Sequence, residues 1–217
     1  YSQGMKLWGT ELLLTKPDVY PIRTYMEFES PEEFANLDPV AAILEFFRKV
    51  DRRENIMLQI LIRAVGSEWQ KGGLAILEGL KEQGSMRIKG EGGFTFPAIR
   101  TPGETEIMKA IDRNIGKPGF STLVRYIYIA DQAIYYPTIV RRGVLSTFNQ
   151  YASPNLNIFR HNYKVWTLIK WVYFPYFFPE KRTIARRARI FRNFRERRVP
   201  EETGMAKLLN SGAFMWN

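Results

Sequence analysis

The densest chemistry in this sequence is arginine chemistry. Residues 181 to 198 hold nine basic side chains, Lys181, Arg182, Arg186, Arg187, Arg189, Arg192, Arg195, Arg197 and Arg198, against one acid, Glu196. A guanidinium presents paired donors that fit phosphate oxygens, so such a cluster reads as a surface for a polyanion: a nucleic-acid backbone, or the headgroups of an anionic membrane. Helical spacing puts Arg182, Arg186, Arg189 and Arg197 on one side and leaves Ile184, Ala188, Ile190, Phe191 and Phe194 for apolar contacts. The plain alternative is a solvated helix face that keeps the chain in solution.

Other reactive groups are sparse. There is one histidine and no cysteine, which removes disulfide frameworks, thiolate nucleophiles and cysteine-ligated zinc. His161, within Phe159-Arg160-His161-Asn162, reads as a structural or loop residue rather than a general base, because no convergent partner is evident. Gly116-Lys117 lacks the earlier glycine and the following Ser or Thr of a phosphate loop, and Gly90-Glu91-Gly92-Gly93 leads into no capped helix carrying a lysine. A weaker enzyme reading would use carboxylates that the sequence does not place, such as Glu104 and Glu106. No catalytic, cofactor-binding or metal-ligating residue is therefore assigned, and no cofactor is expected.

The whole chain has 217 residues, a formal charge of +10, and 45% apolar residues of which aromatics are a large share, enough to fill one good core or two small ones. Ile22-Arg23-Thr24-Tyr25-Met26-Glu27-Phe28-Glu29 alternates as a strand does. Asp38-Pro39 caps a helix carrying Val40, Ile43, Leu44, Phe47 and Val50, and the apolar run Ile56 to Val65 reads as a central strand. A helix with Trp69, Ile76, Leu77 and Leu80 follows Ser67, weakened by Gly72, Gly73 and Gly79. Residues 84 to 100 read as an irregular, mobile connection.

The firmest boundary is Thr101-Pro102-Gly103-Glu104, a capping box that starts a helix with Ile107, Met108, Ile111 and Ile115 on one stripe. Phe120 to Ala130 is the next strand, and Tyr136-Pro137 opens a helix with Val140, Val144, Phe148 and Tyr151 on one side. The two stretches 38 to 83 and 101 to 152 thus repeat one order of elements, each with a flanking extended piece, the second at 155 to 160. This predicts an α+β fold: two split β-α-β halves, about 17 to 83 and 101 to 160, sharing one sheet with helices on a face, in a ferredoxin-like or tandem arrangement. An aromatic and then basic helical extension, 161 to 217, completes the plan. Its apolar stretch, Trp166 to Phe178, is broken by Lys170 and Pro175 and falls short of the roughly 20 residues a spanning helix needs.

Glu11 to Pro17 through Phe28-Glu29, Glu54 to Val65 with Trp69, Thr101 to Phe120, Arg125 to Ala130 and Asn155 to Arg160 together resemble the region that precedes the motor domain in bacterial proteins similar to conjugative and type IV secretion ATPases. That resemblance implies a fragment of a longer, membrane-proximal cytoplasmic protein with an accessory role in moving DNA or protein across an envelope. It carries no catalytic residue onto these positions. The partners it implies are the remainder of the same chain or a secretion-machine subunit, with nucleic acid, an anionic membrane surface and further copies of the chain as the others the residues suggest. The rival is a free-standing nucleic-acid-binding module whose Tyr126 and Tyr128 stack bases while the arginines hold phosphates.

Overall fold

The computed structural model describes residues 4–24, 28, 38–83, 88–89, 95–96, 101–153, 155–169 and 178–199. Four strands make one sheet: β1 (Met5–Leu14), β2 (Glu54–Ala64), β5 (Phe120–Asp131) and β6 (Phe159–His161), in the order β2-β5-β1-β6 with every neighbouring pair antiparallel. The helices are α1 (Pro39–Arg48), α2 (Glu68–Gln83), α3 (Pro102–Ile115), α4 (Pro137–Asn149) and α5 (Pro179–Arg195). A second, two-stranded sheet pairs β3 (Ile88–Lys89) with β4 (Thr95–Phe96).

Strand directions decode the topology. β1 and β2 both run antiparallel to β5, so they are parallel to each other with β5 between them, and α1 connects them. Likewise β5 and β6 are parallel with β1 between them and α4 as the connection. Two split β-α-β units therefore interlock, which is the ferredoxin-like arrangement. Inserted between β2 and β5 are α2, the β3–β4 hairpin and α3.

Even-numbered residues of β5 look to one face, where Val124, Tyr126 and Tyr128 join Trp8 and Leu12 beneath Val140, Val144 and Phe148 of α4 and Ile43, Phe46 and Phe47 of α1. Gly143 lets those helices meet, since a Cβ there would lie 2.1 Å from the Phe46 ring. On the other face Leu7, Ile127 and Ile129 pack against Ile190, Phe191 and Phe194 of α5. A third cluster joins Leu77 of α2 to Ile111 and Ile115 of α3 around Val19. Asn157 ties its turn to the sheet: its Oδ1 accepts from the Thr15, Lys16 and Ile158 amides, and its Nδ2 donates to the Lys16, Pro17 and Tyr20 carbonyls.

Local signals held. Asp38 accepts from the Val40 amide at the head of α1, and Thr101 and Glu104 close the capping box of α3. Several longer-range expectations are corrected. The opening strand is β1, not 22 to 29: Ile22 to Thr24 lie outside any strand, and Arg23 donates its amide to Tyr151 O at the end of α4. Phe28 is in a turn, and 25–27 and 29 lie outside the described residues. Among the described residues β2 is an edge strand rather than a central one, and β5 takes the centre, because β5 is paired on both sides and covered on both faces. Within 84 to 100, the described residues form the β3–β4 pair. Val40 and Leu44 are exposed on α1, leaving Ile43, Phe46 and Phe47 to face the core. Among the described residues no helix is long and apolar enough to cross a membrane.

Candidate anion-binding helix

The basic segment folds as α5. Pro179 occupies its first position, Glu180 stands in its first turn, and Arg192 and Arg195 in its last, so the charges complement the helix dipole. The helix ends in a Schellman turn: Arg198 N donates to Asn193 O (3.0 Å) and Arg197 N to Phe194 O (3.3 Å), with Arg197 in the left-handed region at φ 51°. Glycine is the usual residue there, since a Cβ in that conformation costs about 1 kcal/mol or more.

Two features of the sheet seat this helix. At Gly9 in β1 a Cβ would come within 2.9 Å of Ile127 Cγ2 and 3.1 Å of Ile190 Cδ1, so the absent side chain makes room for α5. Two positions along the same face, the fully buried Arg125 directs all five N–H donors to partners. Its Nε and Nη2 bond to Glu11 Oε1 (3.0 and 2.8 Å), Nη1 to Gln59 Oε1 (3.2 Å) and Asn193 O (3.0 Å), and Nη2 also to Arg198 O (3.0 Å). Gln59 Nε2 adds a bond to Phe194 O (3.1 Å). A buried cation thus grips the carbonyl-rich, partially negative end of α5.

With one side docked, the nine basic residues separate. Arg182, Arg186 and Arg187 are half-buried on the inner flanks; Arg186 Nη1 donates to Trp166 O (2.9 Å), and Arg187 Nε has no hydrogen-bond partner among the described residues. Lys181, Arg189, Arg192 and Arg195 are exposed along the outer face, followed past the helix end by Arg197 and Arg198, the last paired with Glu196. The expected side of Arg182, Arg186, Arg189 and Arg197 is therefore not one surface. Ile184 and Ala188 are not buried as expected but exposed, Ile184 at 64%, and Phe178 just before the helix is 71% exposed.

The remaining candidates find structural places. Tyr126 and Tyr128 lie fully buried under α1 and α4, which overturns their expected role in stacking bases. Tyr128 OH bonds to Glu54 Oε1 and accepts from Tyr136 N. His161 is buried among Trp8, Tyr126 and Trp166, with Nε2 2.8 Å from Tyr126 OH. Burial, then the Arg141 guanidinium stacked on Trp166, push its imidazole down to about 4, and burial pushes the Tyr126 phenol up. His161 is therefore neutral at physiological pH and shares a hydrogen bond with the tyrosine hydroxyl. Glu104 and Glu106 are exposed on α3, and Glu104 accepts the Thr101 amide of the capping box. Among the described residues no three His, Cys, Asp or Glu are placed to hold a metal ion.

Residues 1–170 match the protein family described as Domain of unknown function (DUF8128). The chain belongs to this family. No curated protein and no solved structure matches it. The DUF8128 region contains the whole four-stranded sheet together with Gly9, Glu11, Gln59 and Arg125, whereas α5 lies beyond the matched residues. Sequence reasoning passed over this clamp. The signal was a charge in the middle of each of two apolar runs, Glu11 in Trp8 to Leu14 and Arg125 in Leu123 to Ala130, since a charge inside a buried strand needs a partner.

Proposed function

We propose that this chain is a non-catalytic assembly domain of a secretion- or conjugation-type translocation machine, cytoplasmic and membrane-proximal, that holds a phosphate-bearing partner on the outer face of α5. The observation that supports this is the exposed display of Lys181, Arg189, Arg192 and Arg195 along a helix whose opposite side is pinned to the sheet, with Arg197 in the turn that ends it. A fixed row of cations suits a repeating anion better than a single small one. Four of the five are arginines, whose forks suit phosphodiester oxygens, and this favours a nucleic-acid backbone read without regard to sequence. Arg197 adds to the case: a non-glycine residue kept in a left-handed conformation points to a use for its side chain.

The translocation context rests on the resemblance of the strands and capping box to the region before such motors. A second reading, an anionic membrane surface, is supported by Phe178 and Ile184, exposed apolar groups beside the cations. Titrating the chain with a generic DNA duplex, and separately with phosphatidylglycerol vesicles, tests both. Duplex binding without vesicle binding is the expected result; vesicle binding alone selects the second reading, and binding to neither removes α5 as a binding element.

A further inference from the structure

Sheets with a long free edge recruit another strand unless the edge is guarded, by shortness, proline, lysine or a bulge. β6 is guarded by its length of three residues. β2 has none of these guards. It runs for 11 residues, Glu54 to Ala64, contains neither proline nor lysine, and pairs with β5 in unbroken register from Glu54↔Ala130 to Ala64↔Phe120. Among the described residues no strand occupies its outer edge. Its charged residues are Glu54 at the start and Arg63 near the end.

The far half of this edge is also apolar and open. Ile60 is 49% exposed and Ile62 65%, and Phe120, on the same face one strand in, is 58% exposed. α1 and α4 cover Ile56 and Leu58 of β2, and neither Ile60 nor Ile62 belongs to that core. A strand that carries its own complement would fill this gap.

We propose that β2 pairs antiparallel with β2 of a second copy of this chain, about a two-fold axis at Leu61, to make a continuous eight-stranded sheet. In that register Ile60 of each copy stands opposite Ile62 of the other, on the face where both are exposed. Leu61 meets Leu61 on the opposite face, Leu58 meets Ala64, and Arg63 meets the uncharged Gln59, so no like charges oppose one another. A two-fold pairing of one segment with itself closes the assembly at two copies.

The test uses the full chain and three variants, with mass in solution measured by light scattering over a range of concentrations. The chain should approach twice its protomer mass at high concentration, and Ile62→Lys, an exposed change, should hold it at protomer mass. Because the chain has no cysteine, Leu61→Cys gives one thiol per copy. On the axis the two Cα atoms stand about 4.5–5.5 Å apart, within disulfide range. Oxidation should therefore link Leu61→Cys into dimers and leave Asn55→Cys, whose two copies lie roughly 40 Å apart, unlinked. Protomer mass at every concentration would overturn the proposal. A dimer that survives Ile62→Lys, or Asn55→Cys linking as readily as Leu61→Cys, would place the contact elsewhere and overturn it too.

Discussion

His161 and Arg197 show how much a single residue's role depends on its surroundings. An imidazole held at about 4 in the fold takes up a proton more readily once unfolded, where its value is near 6.5. Its contribution to stability is thus complete above pH 6.5 and declines as the pH falls from 6.5 toward 4; the loss between pH 7 and pH 5 is about 2 kcal/mol. Urea midpoints across that interval should drop accordingly in the native chain and much less in His161→Gln. An equal drop in both would assign the effect to other groups. Arg197 supports an opposite kind of test. Arg197→Gly relieves the left-handed strain, so thermal stability should hold or rise, by up to about 1 kcal/mol, while polyanion binding weakens. Binding unchanged by that substitution would make Arg197 a turn residue only. Neither environment could be read from sequence, where His161 had only its neighbours in the chain and Arg197 was one cation of nine.

At the scale of elements, what was legible was what is local. Asp38-Pro39 and the Thr101 capping box name their own helices, because the cap and the amides it satisfies lie within three residues. β1 was missed because it is covered on both faces: Lys6, Gly9 and Glu11 interrupt its apolar run, and the neat alternation after Pro21 drew the assignment instead. The docking of α5 was hidden for the same reason, since Gly9 and Arg125 act on a helix far along the chain. Arg125→Lys cannot reproduce the five donors and leaves Glu11 poorly matched in the core, a loss of roughly 3 kcal/mol. Gly9→Val intrudes on Ile190 directly. In both variants the amides of 183 to 195 should exchange with solvent faster than in the native chain, while those of α4, on the opposite face, keep their protection in Gly9→Val. Unaltered exchange in α5 would mean that the clamp does not hold it.

The molecule as a whole divides its surfaces by face. One sheet face is closed by α1 and α4 over an aromatic core, the other by α5, and the outer edge of β2, unpaired among the described residues, lies between them. The α+β class and the pair of split β-α-β units were legible from the alternation of elements, but the units are β1-α1-β2 and β5-α4-β6, so the repeat of helix, strand and helix read over 38 to 83 and 101 to 152 is out of phase with them. The candidate site was legible as composition, nine cations in one segment, but not as a surface: the structure turns Arg182, Arg186 and Arg187 inward and Lys181, Arg189, Arg192 and Arg195 outward. With Arg186 bonded to Trp166 O, a variant that changes it would disturb docking and binding together, so the informative substitutions are the outer ones.

The central claim is that this outer row holds phosphates, and the measurement that tests it most directly is the salt dependence of duplex DNA binding by the native chain and by an Arg189→Ala, Arg192→Ala, Arg195→Ala triple variant. Each phosphate contact contributes about 0.9 to the slope of log affinity against log salt. If the outer row holds phosphates, the variant folds as the native chain does, binds far more weakly, and loses about 2 to 3 from that slope. A variant that keeps the native affinity and slope would contradict it.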